Sequence, residues 1–399
     1  MALFYNISIR AYAFFLWLIQ SYHPKAKAWI QGRKNYWEKL PIITENTSVY
    51  WFHCASLGEF DQGIPVMNLV KDRNPTCKIL VTFFSPSGME HYHKRKHTAD
   101  FVYYLPIDTT KNAKKLVSHF NPIAVFFIKY EFWLNYIFEI KKRKIPLYSI
   151  SCILRPSQIF FRWYGSYFRK GLKAFDNFYV QNIETKNLLQ TIGIDKVIIT
   201  GDTRFDKVIE NKTLVTQDSV ITNFLQGKKA LILGSSWPVE EQLFHRYLTK
   251  DTEKIIIAPH DISENHLQSI EKLFHNKIVR YSSYTHENNK SILLLDCIGK
   301  LANAYSYGKI AFIGGGFTGK LHNTLEPVVF GLPVIFGPIF TKFPEAQQFI
   351  DAGIGFSIQT QEDLARTIEY IESNLPELHL KCIHEIENST GAAAKIIER

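Results

Sequence analysis

From Ser48 onward, short apolar runs alternate with basic, helix-like stretches. VYWFHCAS (49–56), KILVTFFS (78–85), AVFFIKYEFW (124–133), PLYSISCIL (146–154), NFYVQN (177–182) and KVIITGD (196–202) read as strands. The segment after Glu59 and the stretch LNYIFEIKKRK read as helices. Runs this short and this continuously apolar suit strands buried on both faces of a parallel sheet. Residues 202–229 are polar and lack a strong apolar strand, so an inter-domain linker is expected at 206–229. The pattern then restarts with ALILGSSW (230–237), KIIIAPHD (254–261), KIVRYSS (277–283), SILLLDC (291–297), KIAFIGGG (309–316) and PVIFGP (333–338). The expected organisation is an N-terminal segment 1–40, one α/β domain over 41–205, the linker, and a second α/β domain over 230–399. Two Rossmann-like halves facing a cleft would bind ligands beyond the carboxyl ends of their strands.

The N-terminal segment breaks the pattern. ALFYNISIRAYAFFLWLIQSY (2–22) is apolar and aromatic, with Asn6 and Arg10 inside it. No basic region precedes it and no small-residue cleavage site follows, which disfavours a cleaved signal peptide. A full span needs about 20 apolar residues with few charges, and Arg10 counts against one. Trp17, Tyr22 and Trp29 suit a membrane interface, and Lys25, Lys27, Arg33 and Lys34 suit anionic headgroups. A helix packed on its own domain is the plainer reading; the number of large apolar residues at a free terminus favours the membrane. The whole chain carries a formal net charge of +10 and a pI of about 9.1. That surplus favours an anionic partner, whether nucleic acid, membrane or phosphorylated substrate. Five scattered cysteines without a Cys-x-x-Cys argue against a disulfide framework or structural zinc and favour a reducing compartment.

The candidate chemistry lies where strands give way to helices. Gly314, Gly316 and Gly319 fit a G-x-G-x-x-G spacing, and GGGFTGKL nearly fits a P-loop but has Leu321 where a hydroxyl would hold magnesium. Its amides either cradle a phosphate or merely make a tight turn. Glu326, in HNTLEP, either reaches ribose hydroxyls or is an ordinary acid at a helix start. In HCASLGEF, Gly58 permits a sharp turn, and Glu59 is either a partly desolvated general base or a solvated helix-start acid. SPSGME (85–90) is a second such turn, or only a helix cap. Glu131, between Tyr130 and Phe132-Trp133, is a sugar or lipid contact or the cap of the following helix. His91, His93 and His97 are interleaved with Lys94, Arg95 and Lys96 and read as a solvated basic face, so no metal site is expected. The lack of an Asp-x-Asp motif argues against a metal-dependent GT-A glycosyltransferase.

Taken in order, these segments resemble the 3-deoxy-D-manno-octulosonic acid (Kdo) transferases. The matching stretches are ASLGE (55–59), SPSGME (85–90), YLPID (104–108), YEFWLN (130–135), RKIPL (143–147), VQN (180–182), GDTRFD (201–206), SSWPVEE (235–241), the GGGF loop, HNTLEP (322–327) and LPVIFGP (332–338). The resemblance implies a GT-B enzyme on the cytoplasmic face of the inner membrane, moving Kdo from CMP-Kdo to a lipid A precursor with inversion. It makes Glu59 the general base and places Ser56, Gly58, Ser85, Ser87 and Glu131 on the acceptor side. On the donor side it places Ser235, Ser236, His260, Gly314, Gly315, Gly316, Lys320, His322, Asn323 and Glu326. CMP-Kdo is the donor substrate, no further cofactor is implied, and nucleic acid is not an expected partner. The chain departs from the family where Ala258-Pro259-His260 replaces Pro-Arg-His and Ser235-Ser236-Trp237 replaces Ser-Thr-His, and the glycine loop is shorter by one residue. Lys320, Arg204 and His260 are then the candidates for neutralising the donor's anionic groups. Another GT-B transferase or a related sugar-nucleotide epimerase is the nearest alternative; a membrane scaffold or nucleic-acid binder is the alternative from another class.

Overall fold

The computed structural model describes residues 1–247, 253–285 and 290–398. The first sheet contains β1 (Val49–Cys54), β2 (Lys78–Phe83), β3 (Phe101–Tyr104), β4 (Ala124–Ile128), β5 (Leu147–Cys152), β6 (Asn177–Val180) and β7 (Val197–Ile199). Its seven strands run in the order β3-β2-β1-β4-β5-β6-β7, all parallel. The second contains β8 (Ala230–Ser236), β9 (Ile255–Pro259), β10 (Ile278–Arg280), β11 (Ile292–Leu294), β12 (Gly308–Ile313), β13 (Val334–Phe336) and β14 (Gly355–Ser357). Their order is β10-β11-β9-β8-β12-β13-β14, again all parallel. The chain reverses direction across the sheet at β1/β4 in the first case and at β8/β12 in the second, which is where such sheets place their ligands. Strands β4, β9, β11 and β13 are buried at every position, as their unbroken apolar runs require.

The described residues divide into two compact units, Met1–Lys207 with Thr390–Arg399, and Val208–Ser389. The polar stretch expected as a linker instead carries two helices, Arg204–Thr213 and Ser219–Leu225. Asp218 caps the latter by accepting from the Val220 and Ile221 amides, while Ile221, Phe224 and Leu225 are buried. The chain's last residues pack on the first unit and not the second. Asp206 accepts from the amides of Gly391 (2.6 Å) and Ala393 (2.9 Å), and Ala393 and Ile396 join the core formed with Phe52, Phe60 and Ile64.

A helix, Ala2–Ile19, opens the chain and leans on the first unit. Tyr5 is its one buried residue; its hydroxyl donates to Asp108 and accepts from the Leu134 amide at 3.2 Å. Asp108 in turn accepts from the Asn135 and Tyr136 amides, 3.1 Å each, and so caps the helix Leu134–Lys142. Burial outweighs these bonds and lifts the Asp108 carboxyl to about 6. Trp29, expected at an interface, is instead buried, with the Arg33 guanidinium 3.9 Å above its ring. Arg33 likewise does not reach outward: it donates to the carbonyls of Trp29, Phe84 and Leu105, at the ends of β2 and β3, and burial lowers its pKa to about 9.

Candidate functional site

In the first unit the site grows from the carboxyl ends of β1, β2 and β4. After β1 the chain turns at Ala55-Ser56 and enters the helix Leu57–Arg73, with Glu59 in its first turn. The Glu59 carboxylate folds back to accept the Ala55 amide and is 5% exposed. Burial, and next the charge of Glu131, lifts its pKa to about 7 against the opposing pull of that amide and of Lys129. Gly58 does not make the turn: it is helical, and a Cβ there would meet nothing within 4 Å. The turn after β2 is tied to this one, since the Ser85 amide donates to the Ala55 carbonyl at 2.9 Å. Ser85 and Ser87 face each other, 3.1 Å between hydroxyl oxygens, with Ser85 capping the short helix Pro86–His91. Ser56 caps the Glu59 helix through its backbone alone.

Glu131 follows β4 after Lys129, which sits in the left-handed region at φ 67°. Such strain in a non-glycine residue beside a buried acid is typical of a functional turn. Glu131 is not the helix cap, because Asp108 fills that role. Its Oε2 is buried and has no hydrogen-bond partner, lying 3.7 Å from His53 Nε2.

His53 was not singled out from sequence, where it is one polar residue in an apolar strand. It is fully buried and central to a chain of bonds. Trp133 Nε1 donates to His53 Nε2 at 2.9 Å, and His53 Nδ1 lies 2.9 Å from Thr82 Oγ1, which also accepts from Trp51 Nε1 at 2.8 Å. An indole nitrogen can only donate, so Nε2 is unprotonated and the ring hydrogen is on Nδ1. This fixes the ring, and through Trp133 it fixes the 130–133 turn that carries Glu131. Trp133 also packs on Phe84, centroids 4.5 Å apart.

In the second unit the site grows from β8, β9 and β12. Ser235 is left-handed, φ 54°, at the irregular end of β8. Two buried acids follow it on the helix Pro238–Tyr247. Glu240 accepts from the Trp237 amide (3.0 Å) and the Gly315 amide (2.9 Å). Glu241 accepts from Ser236 Oγ (2.8 Å) and meets His266 Nε2 at 3.1 Å. The glycine loop therefore does not present a free amide cradle at these two positions: the Gly314 amide is bonded to Gly234 and the Gly315 amide to Glu240. The glycines serve close approach instead. A Cβ on Gly314 would sit 2.1 Å from the Ser235 carbonyl, and one on Gly316 would sit 2.4 Å from the Gly337 nitrogen.

Beside the loop, three rings form a column. Trp237 stacks on His260 (4.7 Å, 20°), and His260 on His322 (4.4 Å, 37°). Burial, with His260 alongside, drops the His322 pKa to about 4, so its imidazole is neutral at pH 7. Trp237 Nε1, His322 Nε2 and Thr324 Oγ1 are buried without hydrogen-bond partners. Buried polar groups are nearly always satisfied, so three such atoms in neighbouring loops mark a place for a polar ligand. Lys320, exposed, has its ammonium 5.7 Å from the Trp237 ring. Asn323 donates to Glu326 (3.1 Å) and accepts from the Leu325 amide (3.0 Å), which orders the Glu326 carboxylate. Arg204 is committed to Asp202 at 2.7 Å and lies in the first unit.

The family described as 3-deoxy-D-manno-octulosonic-acid transferase (kdotransferase) matches residues 30–207. The Kdo transferase of Aquifex aeolicus is 27% identical over 342 residues, covering 83% of this chain and 88% of its own. That of Chlamydophila psittaci is 26% identical, covering 79% of this chain and 76% of its own. Among solved structures, UDP-GlcNAc 2-epimerase of Neisseria meningitidis superposes with a TM-score of 0.64 at 18% identity, over 88% of this chain and 98% of the other. MurG of Acinetobacter baumannii superposes with a TM-score of 0.55 at 12% identity, over 88% and 98%. With its two seven-stranded parallel sheets and these structural neighbours, the chain has the GT-B fold.

Proposed function

This chain is a glycosyltransferase of the Kdo transferase family, and from that premise we propose that it transfers Kdo from CMP-Kdo to the glucosamine primary hydroxyl of a lipid A precursor at the cytoplasmic face of the inner membrane. One observation carries the proposal on this chain's own residues: a glutamate buried in the first turn of a helix, with its pKa raised to about 7. A general base works best when its pKa lies near the operating pH. Glu59 takes the hydroxyl proton as that oxygen attacks the ketosidic carbon; the bond to CMP breaks on the opposite side, and the anomeric centre inverts. Glu131, with its unpartnered Oε2, accepts a hydrogen bond from an acceptor hydroxyl. The Trp237–His260–His322 column and Thr324 receive the CMP moiety, Glu326 receives ribose hydroxyls, and Lys320 supplies positive charge. Neutral His322 contributes hydrogen bonding, not charge.

The test is transfer by purified full-length protein in detergent, from CMP-Kdo to a tetra-acylated lipid A precursor, read by mass spectrometry. A mass gain of one or more Kdo units is expected. No gain with folded protein and competent substrates would assign the fold to another nucleotide sugar.

A further inference from the structure

Kdo is a sugar acid, and its carboxylate is bonded directly to the ketosidic carbon that the acceptor oxygen attacks. A general base lies within about 3 Å of the oxygen it deprotonates, and that oxygen nears its target carbon to about 3 Å before the bond forms. Transfer therefore brings the Kdo carboxylate close to Glu59. Glu131 is a second acid whose charge acts on the same place. Three carboxylates gathered where water is partly excluded repel one another unless a cation joins them.

The arginines at the strand ends of the first unit are committed elsewhere. Arg33 donates to the carbonyls of Trp29, Phe84 and Leu105, Arg204 pairs with Asp202 at 2.7 Å, and Arg95 pairs with Asp61 at 2.8 Å. Lys129 differs. Among the described residues it makes no ion pair, and its half-buried side chain carries Nζ 6.0 Å from the Tyr130 ring. Its amide donates to the Ile150 carbonyl at 3.0 Å, which pins the backbone where β4 ends. A φ of 67° would suit glycine without strain, yet the position holds a long cationic side chain two residues before Glu131. Its charge reaches the base. Burial and Glu131 raise the Glu59 pKa to about 7, while the Ala55 amide and then the Lys129 ammonium pull against them.

We propose that the Lys129 ammonium is the counter-ion of the Kdo carboxylate, so that the turn after β4 recognises a sugar bearing an acid group on its anomeric carbon. This role rests on the proposed transfer of Kdo and completes its charge balance. Lys320 serves the CMP group and Lys129 the sugar acid. The turn then divides two tasks between neighbours: Lys129 takes the donor's carboxylate and Glu131 an acceptor hydroxyl. An ammonium on a flexible stem can follow the carboxylate as its carbon passes from CMP to the acceptor.

The experiment compares the full chain with Lys129→Asn, Lys129→Gly and Lys129→Arg in the detergent assay of Kdo transfer. It is run at about pH 8.5, so that a base titrating near 7 is ionised and its own titration does not enter. Asparagine and glycine accept left-handed backbone more readily than lysine, so both variants should fold. In both, kcat/KM for CMP-Kdo should fall about 10–100-fold, the loss expected for one hydrogen-bonded charge pair. Inhibition by CMP, which lacks the sugar acid, and KM for the acceptor should stay within about twofold. Lys129→Arg keeps the charge and should recover most of the loss. Transfer by Lys129→Asn and Lys129→Gly within about twofold of the unaltered chain would overturn the role. So would a Lys129→Arg protein as impaired as these two, which would make the position conformational. A loss confined to KM for a phosphorylated acceptor, and absent with a dephosphorylated one, would give the ammonium to an acceptor phosphate instead. No transfer by the unaltered chain would sink the proposed function and this role together, whereas transfer that Lys129→Asn matches would sink this role alone.

Discussion

Each unit places a pair of glutamates at the carboxyl end of its sheet, and the pairs differ in how their oxygens are satisfied. Glu240 and Glu241, almost fully buried, accept from two backbone amides, a serine hydroxyl and a histidine. Glu59 is held by backbone amides alone, accepting from Ala55 with a weaker pull from Ser56, and Glu131 leaves Oε2 with no hydrogen-bond partner. Burying a carboxylate costs free energy unless hydrogen bonds replace the lost water. In the second unit both acids are tied to the loops they hold, although burial still raises the Glu240 pKa against those bonds. In the first, burial and the neighbouring Glu131 charge outweigh the bonds at Glu59, and its pKa rises to about 7, the property a base needs. Burial alone would have ranked Glu240 above Glu59; counting hydrogen bonds reverses the order.

The sharpest way to break this contrast is substitution of Glu59. Glu59→Ala should lower transfer by about 10³-fold, within the usual range for loss of a general base, while CMP-Kdo binding measured by calorimetry stays near normal. Glu59→Gln should lose activity as severely yet gain stability in alkali. A carboxyl whose folded pKa is raised stabilises the fold fully below its unfolded pKa, 4.5, and loses that contribution as pH rises through about 7. Glutamine has no charge to desolvate, so at pH 8 the variant should exceed the parent by about 1–3 kcal/mol in denaturant unfolding. Equal stability of the two at pH 8 would mean the carboxylate is better solvated than its burial implies.

Glu240→Ala should behave in the opposite sense. It strands the Trp237 and Gly315 amides, each 2.9–3.0 Å from a carboxylate oxygen. Two buried donors left unpaired should cost about 2–4 kcal/mol, seen as a lower midpoint in thermal unfolding at every pH. A Glu240→Ala protein with an unchanged midpoint would remove the claim that this pair is structural. Smaller still should be the effect of the ring column. Trp237→Phe removes one hydrogen-bonding nitrogen and His322→Ala removes a neutral imidazole, and each should raise KM for CMP-Kdo by about 3–10-fold with little change in kcat.

What the sequence made legible follows from what is local. Twelve of the apolar runs became strands because a strand buried on both faces shows itself in consecutive residues. Two strands escaped: FVYY, β3, whose first three residues are only half-buried at the sheet's edge, and GFS, β14, only three residues long. Glu59 was legible because a strand, a small-residue turn and a helix-start acid adjoin one another. His53 was not, because its partners Thr82 and Trp133 lie 29 and 80 residues away. The same holds for the C-terminal residues, which Asp206 captures across 185 positions. The boundary between the units, at 207/208, falls inside the expected linker, but the helices there did not show, because Asp218 and its neighbours look like loop chemistry when the buried side of the short helix is unseen. In the glycine loop, spacing was visible but the competitor for its amides, Glu240, lay 75 residues away.

The finest test concerns how the two acids of the first unit act on each other. Glu131 raises the Glu59 pKa second only to burial. A neutral isostere at 131 removes a like charge, so the Glu59 carboxylate should form more readily. In the parent protein, kcat/KM should climb with pH along a limb centred near 7. In Glu131→Gln that limb should move to lower pH by a fraction of a unit, leaving relatively more activity at pH 6. The acceptor KM should rise at the same time, because an amide replaces the unpartnered carboxylate oxygen. Trp133→Phe separates coupling from position: it frees His53 Nε2 and loosens the turn without altering charge, so it should raise the acceptor KM while the limb stays near 7. A limb that moves in Trp133→Phe but not in Glu131→Gln would place the control of Glu59 in solvent access and not in the charge of its neighbour.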